Sequence, residues 1–574
     1  MDYKPLPIGI DNFEMLIQRG YYFLDKSLLI KELLDKKGDT NLFTRPRRFG
    51  KTLNISMLRY FFEDARDLNG NKIEHSSLFN GLEIMQAGEK YLAHMGQYPI
   101  INLSLKSAKQ PTFDLAYLML IRQIAGEYER HSFILEHLAL QDQKERYSRI
   151  MCEKGGIGDY VDALFFLSKC LYKYYNKKVI ILIDEYDVPL ENAFLSGFYP
   201  QMVDFIRSLF ESALKSNEYL EFAVITGCLR ISKESIFTGL NNLNIISILN
   251  HNFSEYFGFT EKEIKKICAD YHMESQYTLC QEWYNGYIFG ESNVYNPWSV
   301  IKFMYDLQAD SNCFPSAYWA NTSSNSIVRK LIECANDETK EEIEALIEGK
   351  SIEKPVHEDI TYDEIYNTMD NLWNFMFFTG YFRKVRQRMD ESTKQQYVEI
   401  MIPNQEVKYI FRTKVLSWFQ EKIVEKDLTA LYTALLNQDA AALEKELNEL
   451  LLETISFNDA YENFYHGFIA GVLSKMKGYR VRSNREGGRG RSDLFIRPVT
   501  RRKAAYVIEF KIANSIDELD KKASEALAQI ADRQYQQELY NDGYKQVVSY
   551  GISFFGKDCL VKVGAVALRQ TDTR

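Results

Sequence analysis

Short apolar runs punctuate the N-terminal half of the chain: Leu42–Phe43, Ile100–Leu105, Val179–Ile183, Phe222–Ile225 and Ile245–Leu249. Longer stretches of helical period separate them. Strand-sized runs alternating with helices predict a parallel sheet covered by helices, an α/β fold. Near the C-terminus the pattern becomes a helix over Tyr461–Lys475, strands over Tyr479–Arg482, Ser492–Ile496 and Ala505–Phe510, a helix over Ile516–Tyr540 and a strand over Gln546–Phe554. Between them, residues 250–420 carry aromatic-rich segments such as Trp283-Tyr-Asn-Gly-Tyr-Ile-Phe-Gly290. Aromatics this dense usually fill a core or a seam. The stretch is expected to form a helical lid with a winged-helix-like piece, followed by a helical connector over 421–455. A single core stops growing near about 250–300 residues, and the chain has 574. The expected division is therefore 1–250, 251–455 and 456–574.

The first apolar run leads into Arg45-Pro-Arg-Arg-Phe-Gly50-Lys51-Thr52 and an amphipathic segment. Strand, loop and helix in that order suit a Walker A loop, in which backbone N–H groups and a helix N-terminus cradle phosphates. Lys51 would reach the terminal phosphates and Thr52 would hold Mg²⁺, with Arg47, Arg48 and Gly50 also facing the nucleotide. The pattern departs at Arg45, where a glycine is usual. Arginine tolerates positive φ poorly, so the loop is expected to turn differently, and ATP hydrolysis is less firmly implied than binding.

The run Val179–Ile183 ends in Asp184-Glu185. A buried strand that delivers two acids at its C-terminal end suits a Walker B role, Asp184 toward Mg²⁺ and Glu185 toward the attacking water. Acids at a strand exit also occur in ordinary turns. Thr226 closes the next apolar run, where ligands of open α/β sheets sit, and is a candidate γ-phosphate sensor. Arg230 is a candidate charge-stabilising arginine. Either is equally readable as a structural cap or a surface charge.

In the C-terminal segment Asp493 follows Gly-Arg-Ser, and Glu509 and Lys511 sit two apart in Val507-Ile-Glu-Phe-Lys-Ile512. That spacing puts both side chains on one face of a strand. A lone Glu-x-Lys is common on exposed strands, but charges on an apolar strand are costly unless paired or metal-bound. Asp493, Glu509 and the Phe510 carbonyl would hold Mg²⁺, or Mn²⁺, while Lys511 orients or deprotonates water for attack on a phosphodiester. Glu462 would complete the outer shell, and Gln529 would steady the strands or touch the backbone of the nucleic acid. His466 reads as a packed core histidine.

Net charge is −9, which speaks against a chain coated in nucleic acid. The stretch 480–503, however, opposes nine Lys/Arg with only Glu486 and Asp493, the local counter-charge a phosphate backbone needs. The eight cysteines are scattered without metal-site spacing, as free thiols of a reducing cytosol are. The N-terminus lacks a secretory pattern, and no apolar run approaches the roughly 20 residues of a membrane span. A cytoplasmic protein with no membrane partner is expected.

Ile8-Gly-Ile-Asp-Asn-Phe13, Tyr22-Phe-Leu-Asp-Lys26, Thr44–Thr52, Ile183-Asp-Glu-Tyr-Asp187 and Thr238-Gly-Leu-Asn-Asn242 together resemble the AAA-ATPase-like proteins of bacteria and archaea. The tail resembles the PD-(D/E)XK nuclease superfamily, whose fold is restriction-endonuclease-like. The first resemblance implies an additional-strand P-loop core, with Walker A on the first strand, Walker B on the third and a sensor on the fourth. It also makes Arg45 typical of the group. Position by position, the second implies a nuclease motif at Glu462, Asp493, Glu509, Lys511 and Gln529, with Ser492 where the motif has proline. The combination points to an ATP-regulated nuclease acting on DNA, in defence or on mobile elements, as a monomer or homo-oligomer. The alternative is a regulatory or signalling ATPase whose nuclease-like domain only binds nucleic acid or a protein.

Overall fold

A computed structural model describes residues 3–229, 236–237, 242–319, 326–356, 361–365, 367–425, 427–452, 462–487, 490–564 and 567–568. Each apolar run of the N-terminal half is a strand: β1 (Thr40–Thr44), β2 (Ile100–Ser104), β3 (Val179–Asp184), β4 (Leu220–Gly227) and β5 (Leu243–Ile246). They form one five-stranded sheet in the order β2-β3-β4-β1-β5, with every pairing parallel. Strand β4 lies between β1 and β3, which is the additional-strand arrangement. Strands β1 and β3 are buried along their whole length, as a sheet covered on both faces requires. Helix α1 (Lys51–Phe62) follows β1 directly and opens at Gly50, whose φ of 80° is left-handed.

The chain divides into two compact units. One comprises Met1–Ser324 and Glu353–Val407, the other Asn325–Ile352 and Lys408–Arg574. The middle stretch has no separate core. Ile264, Tyr284, Val300, Phe303 and Met304 pack with Leu6, Tyr22 and Leu24 of the N-terminus into one apolar cluster. Nor is the stretch helical throughout. Tyr287–Phe289 pairs antiparallel with Ser292–Tyr295, and Arg383–Met389 with Gln396–Met401. Gly286 and Gly290 adopt φ of 97° and 57°, which ends the preceding helix, and the alternating residues between them take the two-residue strand period.

Glu406 is fully buried in the first unit. The Ser299 hydroxyl donates to its two oxygens at 3.0 and 2.9 Å and the Trp319 amide at 2.8 Å. Burial pushes its pKa up to about 8, against the pull of those donors. The folded state thus keeps a proton that the unfolded chain loses near pH 4.5, so stability is fully present below that pH and falls as pH rises through 8. Between pH 5 and pH 9 the wild type is expected to lose roughly 3 kcal/mol relative to Glu406→Gln. Denaturant midpoints across that range measure the difference, and parallel profiles would exclude a protonated Glu406.

In the second unit, α3 (Glu462–Leu473) precedes a six-stranded mixed sheet. Its path is β6 (Tyr479–Gly487), β7 (Gly490–Pro498), β8 (Ala505–Ile512), β9 (Gln546–Phe555) and β10 (Asp558–Val563), with Ala567–Leu568 paired to β9. Strands β7 and β8 run antiparallel and β8 and β9 parallel. The helix expected over Ile516–Tyr540 breaks into α4 (Leu519–Asp532) and α5 (Gln536–Asn541), because Gln534 takes φ of 55° between them. Helix 440–452 packs on β10, with the Asn448 carbonyl accepting from Cys559 N at 2.7 Å and Glu444 from Val561 N at 2.9 Å.

Helix α4 lies directly on β9 because residue 551 is glycine. A Cβ there would stand 2.3 Å from the Ala523 carbonyl oxygen of α4, far inside contact distance. Gly551→Val is expected to cost about 3 kcal/mol by forcing helix from sheet, read as a thermal midpoint lowered by roughly 10 °C. An unchanged midpoint would refute that tight approach.

Candidate nucleotide cleft and candidate nuclease centre

The loop between β1 and α1 lines a cleft of about 410 Å³ together with Lys106, Lys109, Glu185, Asp187, Glu191, Tyr256, Pro297, Trp298 and the N-terminal residues Pro7–Leu24 at intervals. Its lining combines apolar residues such as Leu16, Phe23 and Ile301 with charged ones such as Lys51, Lys106 and Glu185. Lys51 is buried, and its amine donates to the carbonyls of Arg45 and Pro46 at 2.8 and 2.9 Å. The Thr52 hydroxyl donates to Asp184 Oδ2 at 2.7 Å. The Thr226 hydroxyl donates to the other oxygen of the same carboxylate. Asp184 and Thr226 are both buried, at 3% and 1% exposure.

Arg45 is wholly buried. Its guanidinium donates to the carbonyls of Thr44 at 2.9 Å and Ile246 at 2.8 Å, and lies over the rings of Phe257 and Phe289. Burial lowers its pKa to about 9, which leaves it charged at neutral pH. The loop turns at Arg48, φ 70°, and Gly50, φ 80°, not at the position where a glycine is usual. Arg48 stacks on Trp298 at 4.4 Å and Arg47 pairs with Glu191 of α2 (Val188–Ser196).

Glu185 lines the cleft at φ of 53°. Burial and the neighbouring Asp184 raise its pKa, while Lys51 and Lys106 pull it down. The turn that presents it is fixed from β4. Tyr186 N donates to the Thr226 carbonyl at 3.1 Å, and the Tyr186 ring occupies the space a Cβ on Gly227 would need, 2.3 Å away. Asp187 is structural, accepting from Cys228 N at 2.7 Å. Arg230 and most of the Thr238–Asn242 motif lie outside the described residues. Lys106, Lys109, Glu191 and Trp298 carry no local sequence signature of their own, and only the sheet order reveals them.

In the second unit Asp493 and Glu509 meet on one face of the sheet. Asp493 Oδ2 accepts from Phe510 N at 2.8 Å, and Glu509 Oε2 from Asp493 N at 3.3 Å. Glu509 is 2% exposed, its other oxygen accepting from the Gln529 amide of α4 and standing 3.9 Å from Lys511 Nζ. His466 sits on the opposite face, its ring 2.9 Å from the Asp493 carbonyl and edge-on to Phe510. Glu462 is the first residue of α3, but its side chain lies outside the described residues, as does Gly488 of the basic hairpin. Arg497, counted in that basic run, is not available to a phosphate. It is buried and paired with Glu538 and Asp542.

Two carboxylates, one almost without solvent, with the Lys511 amine nearby, form an all-oxygen set that fits a hard divalent cation. Among the described residues no group of three or more His, Cys, Asp or Glu converges. Thr52 with Asp184 fits the same ion beside a triphosphate.

Residues 7–237 match the family model described as Predicted AAA-ATPase, and residues 460–563 match that of the PD-(D/E)XK nuclease superfamily. Over 555 residues, 93% of each chain, the protein is 24% identical to an uncharacterized protein in the vnfD 5′ region of Azotobacter chroococcum mcd 1. Among the described residues no helix is long and apolar enough to cross a membrane. All eight cysteines are free.

Proposed function

We propose that this chain, an AAA-ATPase-like domain followed by a PD-(D/E)XK nuclease-type domain, is an ATP-regulated nuclease that cuts DNA in a Mg²⁺- or Mn²⁺-dependent reaction, in defence or on mobile elements. The observation that carries this reading is the convergence of Asp493 and Glu509, beside Lys511, on one sheet face. Asp493 and Glu509 would hold the cation, which supplies Lewis acidity at the scissile phosphate when bound. Lys511 orients water for in-line attack and accepts or relays its proton. Gln529 fixes the Glu509 carboxylate, and Glu462 belongs to the outer shell. In the cleft, Arg47, Arg48, Gly50 and Lys51 bind the phosphates of ATP, Thr52 and Asp184 hold its Mg²⁺, and Glu185 polarises the attacking water. Thr226 senses the γ-phosphate, and Arg230 is assigned to charge stabilisation.

The competing reading, a regulatory ATPase whose second domain only binds nucleic acid or a protein, is favoured by one fact. Its support is the balance of charge, since the chain as a whole is acidic at −9. Purified full-length protein, incubated with supercoiled, linear and single-stranded DNA and with RNA in a Mg²⁺ and Mn²⁺ series with and without ATP, separates the two. Metal-dependent cleavage supports the nuclease. ATP turnover without cleavage of any substrate supports the regulator.

A further inference from the structure

The phosphate-facing end of the cleft has a second source of positive charge besides the Lys51 loop. Strand β2 pairs with β3 so that Ser104 stands opposite Asp184. The chain then turns through a 3₁₀ segment, Leu105–Ala108, in which Leu105 and Ala108 are buried and anchor the turn. Lys106, between those anchors, is left exposed on the cleft wall, two residues past the level of Asp184. Lys109 follows it on the same wall. Among the described residues neither lysine side chain makes a hydrogen bond or an ion pair within 4 Å, whereas Arg47 pairs with Glu191 and Lys51 donates to two carbonyls. Glu185, one residue past Asp184, lines the same cleft as Lys51 and Lys106, and the charges of both lysines favour its ionised form.

A water activated by Glu185 must lie against the last phosphate of a bound nucleotide, since in-line attack places nucleophile and phosphorus in contact. A cation beside Glu185 is therefore beside the terminal phosphate and remote from the phosphate next to the ribose. We infer that Lys106 reads the terminal phosphate and so makes the cleft select nucleoside triphosphates over diphosphates from within a single copy of the chain. A long, unpaired lysine on an anchored turn suits the task, because its head can follow a phosphate without cost to the sheet. This rests on the cleft being the nucleotide site.

Binding of fluorescent ADP and of a non-hydrolysable fluorescent ATP analogue, titrated against the full chain in Mg²⁺, tests it. Lys106→Ala is expected to weaken the triphosphate by roughly tenfold or more, the loss of one charge-assisted phosphate contact, and to leave the diphosphate within about twofold. Lys106→Arg should restore most of the preference. Lys51→Ala should weaken both nucleotides together. Equal weakening of both by Lys106→Ala, or no change in either, overturns the inference while the nucleotide reading stands. If the wild type binds neither nucleotide, the nucleotide reading falls and the inference falls with it.

Discussion

Asp493→Asn is expected to lower metal-dependent DNA cleavage by roughly a thousandfold, the equivalent of about 4 kcal/mol at the barrier, while ATP turnover stays within about twofold of the wild type. The exchange keeps the shape of the side chain and one acceptor for Phe510 N, 2.8 Å away, so the β7–β8 register should hold. What it removes is charge. Glu509 keeps its charge, with Lys511 Nζ 3.9 Å away, and a divalent ion loses one of its two carboxylates. Mn²⁺ binding followed by electron paramagnetic resonance should weaken in step with cleavage. Cleavage at the wild-type rate by Asp493→Asn would place the reaction elsewhere on the chain.

The second large effect lies in the other unit. Lys51→Ala should reduce ATP affinity by about a hundredfold and take phosphate release below detection. Because Lys51 also braces the loop through the Arg45 and Pro46 carbonyls, Thr52→Ala serves as the second variant. It leaves that brace intact and removes only the hydroxyl on Asp184. Both variants should lose turnover, measured by phosphate release. If nucleotide gates the nuclease, both also lose cleavage; cleavage that persists without turnover would uncouple the two activities.

The parallel sheet was legible because each of its strands is a continuous apolar run, and burial on both faces leaves no polar alternation to confuse the reading. Asp184 and Lys51 could be placed for the same reason: strand ends are where such a sheet puts its chemistry. The strands of the middle carry a weaker signal. Tyr287–Phe289 and Ser292–Tyr295 are too short for a clear period, and Arg383–Met389 is mostly exposed, so no hydrophobic alternation marks it. Asp493 and Glu509 could be proposed from the sequence, but their meeting depends on the β7–β8 register, with Leu494 opposite Ile508, and no local pattern encodes register across a hairpin. Lys106 was invisible because a lysine in a turn looks like solvent-facing charge until the neighbouring strand is known. Strand β10 escapes notice because Asp558 and Lys562 interrupt its apolar residues, and the break at Gln534 because glutamine gives no warning of a left-handed conformation.

Arg45 has one more implication, for anyone who would exchange this loop with that of another ATPase. Writing glycine at residue 45 would not repair a degenerate motif. It would hollow out the floor of the sheet between Phe257 and Phe289 and strand the carbonyls of Thr44 and Ile246 without donors, a void lined by unsatisfied oxygen. The loop and the arginine beneath it are one transplantable part, and neither travels without the other.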